Sequence, residues 1–138
     1  MKFKYTASLA LDTKGHFTKR PMLKLEITTA GGRKIFPLGL IDSGADLTME
    51  NIAYAKELGI DLDGAGGKPM RGIGSGEVST FLSTFPIKSP DLGEEILVPA
   101  CYIDSNNVDI LIGQEGFFDA YRIKFEKDHD TFEITKKR

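Results

Sequence analysis

With 138 residues, 41% of them hydrophobic and 28% charged, and a formal net charge of −2, the chain has the makeup of one globular domain, residues 1–138, with a single sizeable core. That balance argues against a disordered chain or a membrane span, and it supplies no basic stripe for nucleic acid; Lys136-Lys137-Arg138 reads as a solvated chain end. The single cysteine, Cys101, excludes an intrachain disulfide framework, and without a long apolar stretch at the amino end a reducing, cytoplasmic setting is expected.

Fifteen glycines and six prolines cut the chain into short apolar runs, which is the punctuation of a mostly β protein. In chain order, strands are expected at Lys4 to Leu11, Met22 to Thr28, Lys34 to Ile41, Glu77 to Ile87, Ile96 to Ile103, Val108 to Ile112, Tyr121 to Glu126 and Thr131 to Thr135. Leu23, Leu25 and Ile27 alternate with Lys24, Glu26 and Thr28, as on a sheet with one wet side. Ala30-Gly31-Gly32 and Lys127-Asp128-His129-Asp130 read as hairpin connections. The spacing of Ile52, Ala55 and Leu58 predicts a helix from Met49 to Leu58, capped by Thr48 and stopped by Gly59. A shorter helical turn is expected over Gln114 to Asp119. Cys101 lies in the run Ile96 to Ile103 and reads as a small buried hydrophobe rather than a nucleophile.

Chemistry concentrates in Phe36-Pro37-Leu38-Gly39-Leu40-Ile41-Asp42-Ser43-Gly44-Ala45-Asp46-Leu47-Thr48. An acid directly after an apolar strand is held at the edge of the core, where partial desolvation makes its charge expensive. Ser43 brings a hydroxyl that can fix the loop, and Gly44 allows a backbone shape a side chain would forbid. Asp-Ser-Gly alone is a common turn; here it interrupts a strongly apolar strand, precedes the small Ala45 and leads toward a helix. The glycines at Gly72, Gly74 and Gly76 match neither the dinucleotide fingerprint nor a phosphate loop. Asp61 and Asp63 hint at a calcium loop, but Gly72 stands where its bidentate Glu belongs, so no metal and no cofactor are expected.

In this segment the chain resembles the retropepsin-like aspartic proteases, whose signature is an apolar pair followed by Asp, Thr or Ser, Gly and Ala. Two further landmarks follow in order: the glycine-rich stretch Met70 to Val78, in the place of that family's flap, and Asp109-Ile110-Leu111-Ile112-Gly113, matching its apolar-apolar-Gly element. Gly116-Phe117-Phe118 and Tyr121 to Phe125 resemble its closing helical turn and strand, so the likeness reaches from about Pro21 to Phe132. The resemblance implies a mainly β, closed, barrel-like acid-protease fold, with one helix after the active-site loop and a short helical turn near the carboxyl end. It also implies Asp42, Ser43 and Gly44 as catalytic residues, and Ala45, Asp46, Gly72, Ile73 and Gly74 as substrate-binding ones. Pocket walls are expected from Leu40, Leu47, Ile73 and Ile110. One departure stands out: viral members carry, after the apolar-apolar-Gly element, an arginine that pairs with the acid matching Asp46, and here that place is Gln114. Asp46 then either contacts substrate backbone or caps the following helix.

Aspartic protease chemistry needs two carboxylates sharing one proton, one to take a proton from water and one to donate to the scissile carbonyl. The signature occurs once, because Asp12-Thr13-Lys14 and Asp104-Ser105-Asn106 both lack the glycine. The second acid is therefore expected from a second copy across a twofold axis, and the resemblance implies that the Ser43 hydroxyl reaches across that axis to the opposite loop. Lys4 to Leu11 and Thr131 to Thr135 are candidates for an intersubunit sheet, or else pair within one chain. An endopeptidase acting on peptide or protein substrates as a homodimer is one expectation; a dimeric peptide-binding or scaffolding module without turnover is the other.

Overall fold

Residues 1–62, 67–71 and 77–137 are described by the computed structural model, at 67–71 and 77–78 by backbone alone. The extended runs before the helix are β1 (Lys2–Lys4), β2 (Thr6–Leu11), β3 (Phe17–Arg20), β4 (Met22–Lys24), β5 (Ile27–Thr28), β6 (Lys34–Ile35), β7 (Leu38–Ile41) and β8 (Thr48–Asn51). The helix α1 (Ala53–Leu58) follows, then β9 (Gly67–Arg71), β10 (Glu77–Lys88), β11 (Glu95–Ile103), β12 (Ile110–Ile112), β13 (Tyr121–Glu126) and β14 (Thr131–Lys136). A short helical segment, Gln114–Phe118, joins β12 to β13.

Seven strands form the main sheet in the order β4-β7-β12-β8-β11-β10-β9. A second sheet runs β1-β14-β13, and β2-β3 and β5-β6 are two-stranded ribbons; among the described residues these ladders do not join into one hydrogen-bonded ring. The order has one local consequence. β7 and β8 lie on either side of β12, parallel and antiparallel to it respectively, so the loop between them must pass over the carboxyl end of β12.

Alternation sets the two faces of the main sheet. One face gives Leu23, Ile41, Phe85, Val98, Ala100, Tyr102, Ile110 and Ile112 to the core, where Phe117, Tyr121, Phe132 and Ile134 from the carboxyl end join them. On the other face the register lines up Met22, Leu40, Leu111, Met49, Cys101 and Leu82 across six strands. Cys101 is thus half-buried on the outer face rather than in the core.

Several boundaries differ from the sequence reading, each for a local reason. Residues Thr48–Asn51 are a strand and not the first turn of the helix, because β11 and β12 offer them ladders on both edges. The helix starts at Ala53, whose N–H donates to Asn51 Oδ1 at 2.9 Å, so the side chain at its start is Asn51 and not Thr48; Gly59 does end it in a left-handed conformation, φ 70°. Lys4 to Leu11 divides into two strands, and β2 pairs with β3, whose polar sequence carries no alternation signal. The Lys127 to Asp130 turn joins β13 to β14 as expected, and Ala30 to Gly32 joins β5 to β6. The helical segment after β12 is kinked, since Glu115 and Gly116 leave helical geometry. β14 is central in its sheet, with β1 on one edge and β13 on the other, so the terminal strands pair within the chain. No helix among the described residues is long and apolar enough to cross a membrane.

Candidate active site

Asp42 stands where β7 ends. Its N–H donates to the Ile112 carbonyl at 2.9 Å, prolonging the β7–β12 ladder, and the Ala45 N–H donates to the Asp42 carbonyl at 3.2 Å, closing a tight turn. The Gly44 N–H donates to Asp42 Oδ1 at 2.9 Å, so among the described residues the carboxylate is aimed by backbone and not by another side chain. A Cβ on Gly44 would lie 3.3 Å from that oxygen, crowding the group the turn exists to present. Asp42 is half-buried, Ser43, Gly44 and Asp46 are exposed, and Ala45 turns into the core at 6% exposure.

The loop is braced from below by the residues that follow β12. Gln114 N–H donates to the Ala45 carbonyl and Glu115 N–H to the Asp46 carbonyl, both at 2.9 Å. Gln114 Nε2 donates to the Ser43 carbonyl at 2.5 Å, and the buried Gly113 N–H donates to Thr48 Oγ1 at 3.1 Å. Carbonyls 43, 45 and 46 are therefore all held by two consecutive residues. The approach is close enough to require glycine at 113, where a Cβ would fall 2.4 Å from the Leu47 carbonyl carbon and oxygen. Gln114 takes part in the site, but toward backbone; neither the Asp46 carboxylate nor the Ser43 hydroxyl has a hydrogen-bond partner among the described residues.

On the outer face of β4, β7 and β12 lies a cavity of about 250 Å³ whose walls include Met22, Leu38, Leu40, Ile110 and Leu111, with Arg20, Asp109 and Thr6 to Ser8 of β2 among them. Of the four expected pocket residues Leu40 and Ile110 line it, Leu47 does not, and Ile73 lies outside the described residues, as do Gly72 and Gly74. The strands leading to that stretch pair with each other, Arg71 opposite Glu77, as a hairpin requires. Asp109 accepts a hydrogen bond from the Tyr54 hydroxyl at 2.6 Å; burial, then this bond and the nearby charge, push the Tyr54 hydroxyl above its ordinary range. Arg20 and Tyr54 were not singled out from sequence. Arg20 carried a usable signal, since Arg20-Pro21 directly precedes the first alternating strand. Tyr54 carried none, as its partner is 55 residues away.

No family model matches the sequence, and no curated protein does. Among solved structures, a retropepsin-like aspartic protease from Rickettsia conorii superposes with a TM-score of 0.58 at 16% identity, covering 98% of each chain. The retroviral protease-like domain of Ddi1 from Leishmania major superposes at 0.52 with 19% identity, over 82% of this chain and 87% of that one. The fold is retropepsin-like. Both likenesses are ones of architecture, over most of each chain. In this retropepsin-like chain, the passage of the loop over β12 and its anchorage on Gly113, Gln114 and Glu115 follow from the strand order itself.

Proposed function

We propose that the chain is an aspartic endopeptidase, acting as one domain over residues 1–138, whose active site forms when two copies bring their Asp42 side chains together. The observation that supports this most is the backbone cradle of Asp42: an acid at the end of an apolar strand, aimed by the Gly44 N–H and braced from Gly113 to Glu115, within a retropepsin-like fold. In the paired site one carboxylate takes a proton from the attacking water while the other, protonated, donates to the carbonyl oxygen of the scissile bond. Gly44 holds the orientation of each acid, and the Ser43 hydroxyl, exposed and without a partner among the described residues, is free to reach the opposite loop.

Substrate is proposed to lie along the outer face of the main sheet. Ala45 and Asp46 would contact its backbone, Leu40 and Leu111 would receive an apolar side chain, and the stretch holding Gly72, Ile73 and Gly74 would act as a flap closing over it. The single cysteine is in keeping with a cytoplasmic, reducing setting.

Replacing Asp42 by Asn keeps the shape of the side chain and removes the proton-sharing pair. Peptide hydrolysis by the purified protein over mildly acidic to neutral pH is expected to vanish; undiminished cleavage would rule the assignment out. A second reading, a dimeric peptide-binding module without turnover, is favoured by one observation: Gln114 is neutral and its side-chain amide is spent on the Ser43 carbonyl, leaving Asp46 with no cation among the described residues. Tight, pH-dependent binding of a statine-type transition-state mimic, lost in the Asp42→Asn variant, separates the enzyme from the binder.

A further inference from the structure

Two residues beyond Thr48, on the same face of β8, stands a second carboxyl group. Glu50 is 0% exposed, and neither Oε1 nor Oε2 has a hydrogen-bond partner among the described residues. One oxygen of Glu26 is also without a well-aligned bond, but it lies 2.7 Å from Lys88 Nζ and so has a counter-charge; Glu50 has none among the described residues. Among the described residues the neighbouring elements offer no cation. β11 presents Tyr102 opposite Glu50, and its hydroxyl hydrogen is given to the Thr84 carbonyl at 2.7 Å. β12 presents Ile110. On α1, Lys56 is exposed, Glu57 lies 3.8 Å from Arg33, and Tyr54 is bonded to Asp109.

An ionised carboxylate without partner or counter-ion is untenable in such a place, whereas a neutral carboxylic acid costs far less. We infer that Glu50 is a proton-dependent lock on β8: the strand seats only with a neutral carboxyl, so the chain takes up one proton as it folds and the Asp42 loop is held more firmly as the medium turns acidic. The link to the loop is direct. β8 begins at Thr48, whose hydroxyl accepts the Gly113 N–H, and it pairs with β12, over whose end the loop passes.

Burial pushes the Glu50 carboxyl up to about 9 from an ordinary 4.5. For a carboxyl raised on folding, the folded state binds the proton that the unfolded chain has released, so stability falls as pH rises through the interval between those values. Glu26 and Glu94 act in the opposite sense, held below the ordinary range chiefly by bonds from Lys88 and Lys136, but their contribution is lost only on acidification below that range. From pH 5 to 8 the Glu50 dependence therefore stands alone among these three.

The test is denaturant unfolding of the full chain at fixed concentration from pH 5 to 8, for the native sequence, Glu50→Gln and Glu50→Leu. The ratio of the native unfolding constant to that of either variant is expected to rise about tenfold per pH unit, the dependence of one proton. Parallel profiles would overturn the inference. Should the leucine variant fail to fold, the glutamine variant and the proton uptake of the native chain, read from the buffer dependence of its calorimetric unfolding enthalpy, carry the same test: no uptake near pH 7 overturns it. The bearing on activity rests on the protease reading given above. Loss of hydrolysis after incubation at mildly alkaline pH is expected to track unfolding and to shift upward in Glu50→Gln, and an unshifted loss would sever the lock from the site. The unfolding arms need no turnover, so they stand if Asp42 proves not to be catalytic.

Discussion

Asp42 is held in place by amide groups, and the geometry of the proposed pair would depend on how little those amides move. Gln114 is the residue through which that stiffness is most open to change, because its side chain makes the one bond to the Ser43 carbonyl while its own N–H holds Ala45. Replacing it by Leu removes a single donor and leaves both backbone bonds. The exposed Ser43 carbonyl can turn to water, so the stability cost is expected to be about 0.5–1.5 kcal/mol. The effect should fall on kcat, about three- to tenfold, with KM little changed, since the bond positions the acid and does not touch substrate. Gln114→Glu replaces the donor with an acceptor and should be worse than leucine; steady-state kinetics of the two variants checks the order. A change confined to KM would place Gln114 in the substrate groove instead.

At the scale of elements, the crossing of the 42–47 loop over β12 is the feature the rest of the site depends on. A Cβ at 113 meets the Leu47 carbonyl at 2.4 Å, which is backbone and cannot turn aside, so Gly113→Ala is expected to cost about 1–3 kcal/mol and to impair hydrolysis as the loop lifts. Thr48→Val keeps the volume but leaves the buried Gly113 N–H without its acceptor, at a cost of about 1–3 kcal/mol. Thermal denaturation of both variants tests this, and full native stability in either would show that the bracing is slack. The same elements show what was legible beforehand. The Asp42 loop and the Ile112-Gly113 element could be read because each is a short, local pattern of apolar residues broken by glycine. Strand β8 could not, because the helical spacing of Ile52, Ala55 and Leu58 extends naturally back to Met49 and only the ladders from β11 and β12, about 50 residues or more away, decide otherwise. That misreading also hid Glu50, which a strand would have turned inward beside Thr48. Likewise β3 is polar and owes its form to β2, and the Gln114 bond to Ser43 spans 71 positions.

For the whole molecule, a single chain presents one Asp42, and the proposed reaction needs two. Within the chain β14 is already paired on both edges, by β1 and by β13, so an interface built on the terminal sheet would have to use its outer edges or its faces. An obligate pair would bury about 2,000 Å² or more in total. Hydrolysis should consequently fall faster than in proportion to protein on dilution below the dissociation constant, and mixing active chains with excess Asp42→Asn chains should suppress activity through mixed pairs. Activity strictly proportional to concentration and immune to the inactive chain would speak for a site complete in one copy. The most direct measurement is calorimetric titration of a statine-type mimic into the native protein, read for stoichiometry. One mimic bound per two chains is the expected result, with binding abolished by Asp42→Asn. One mimic per chain, or binding indifferent to that substitution, would contradict a shared pair of acids.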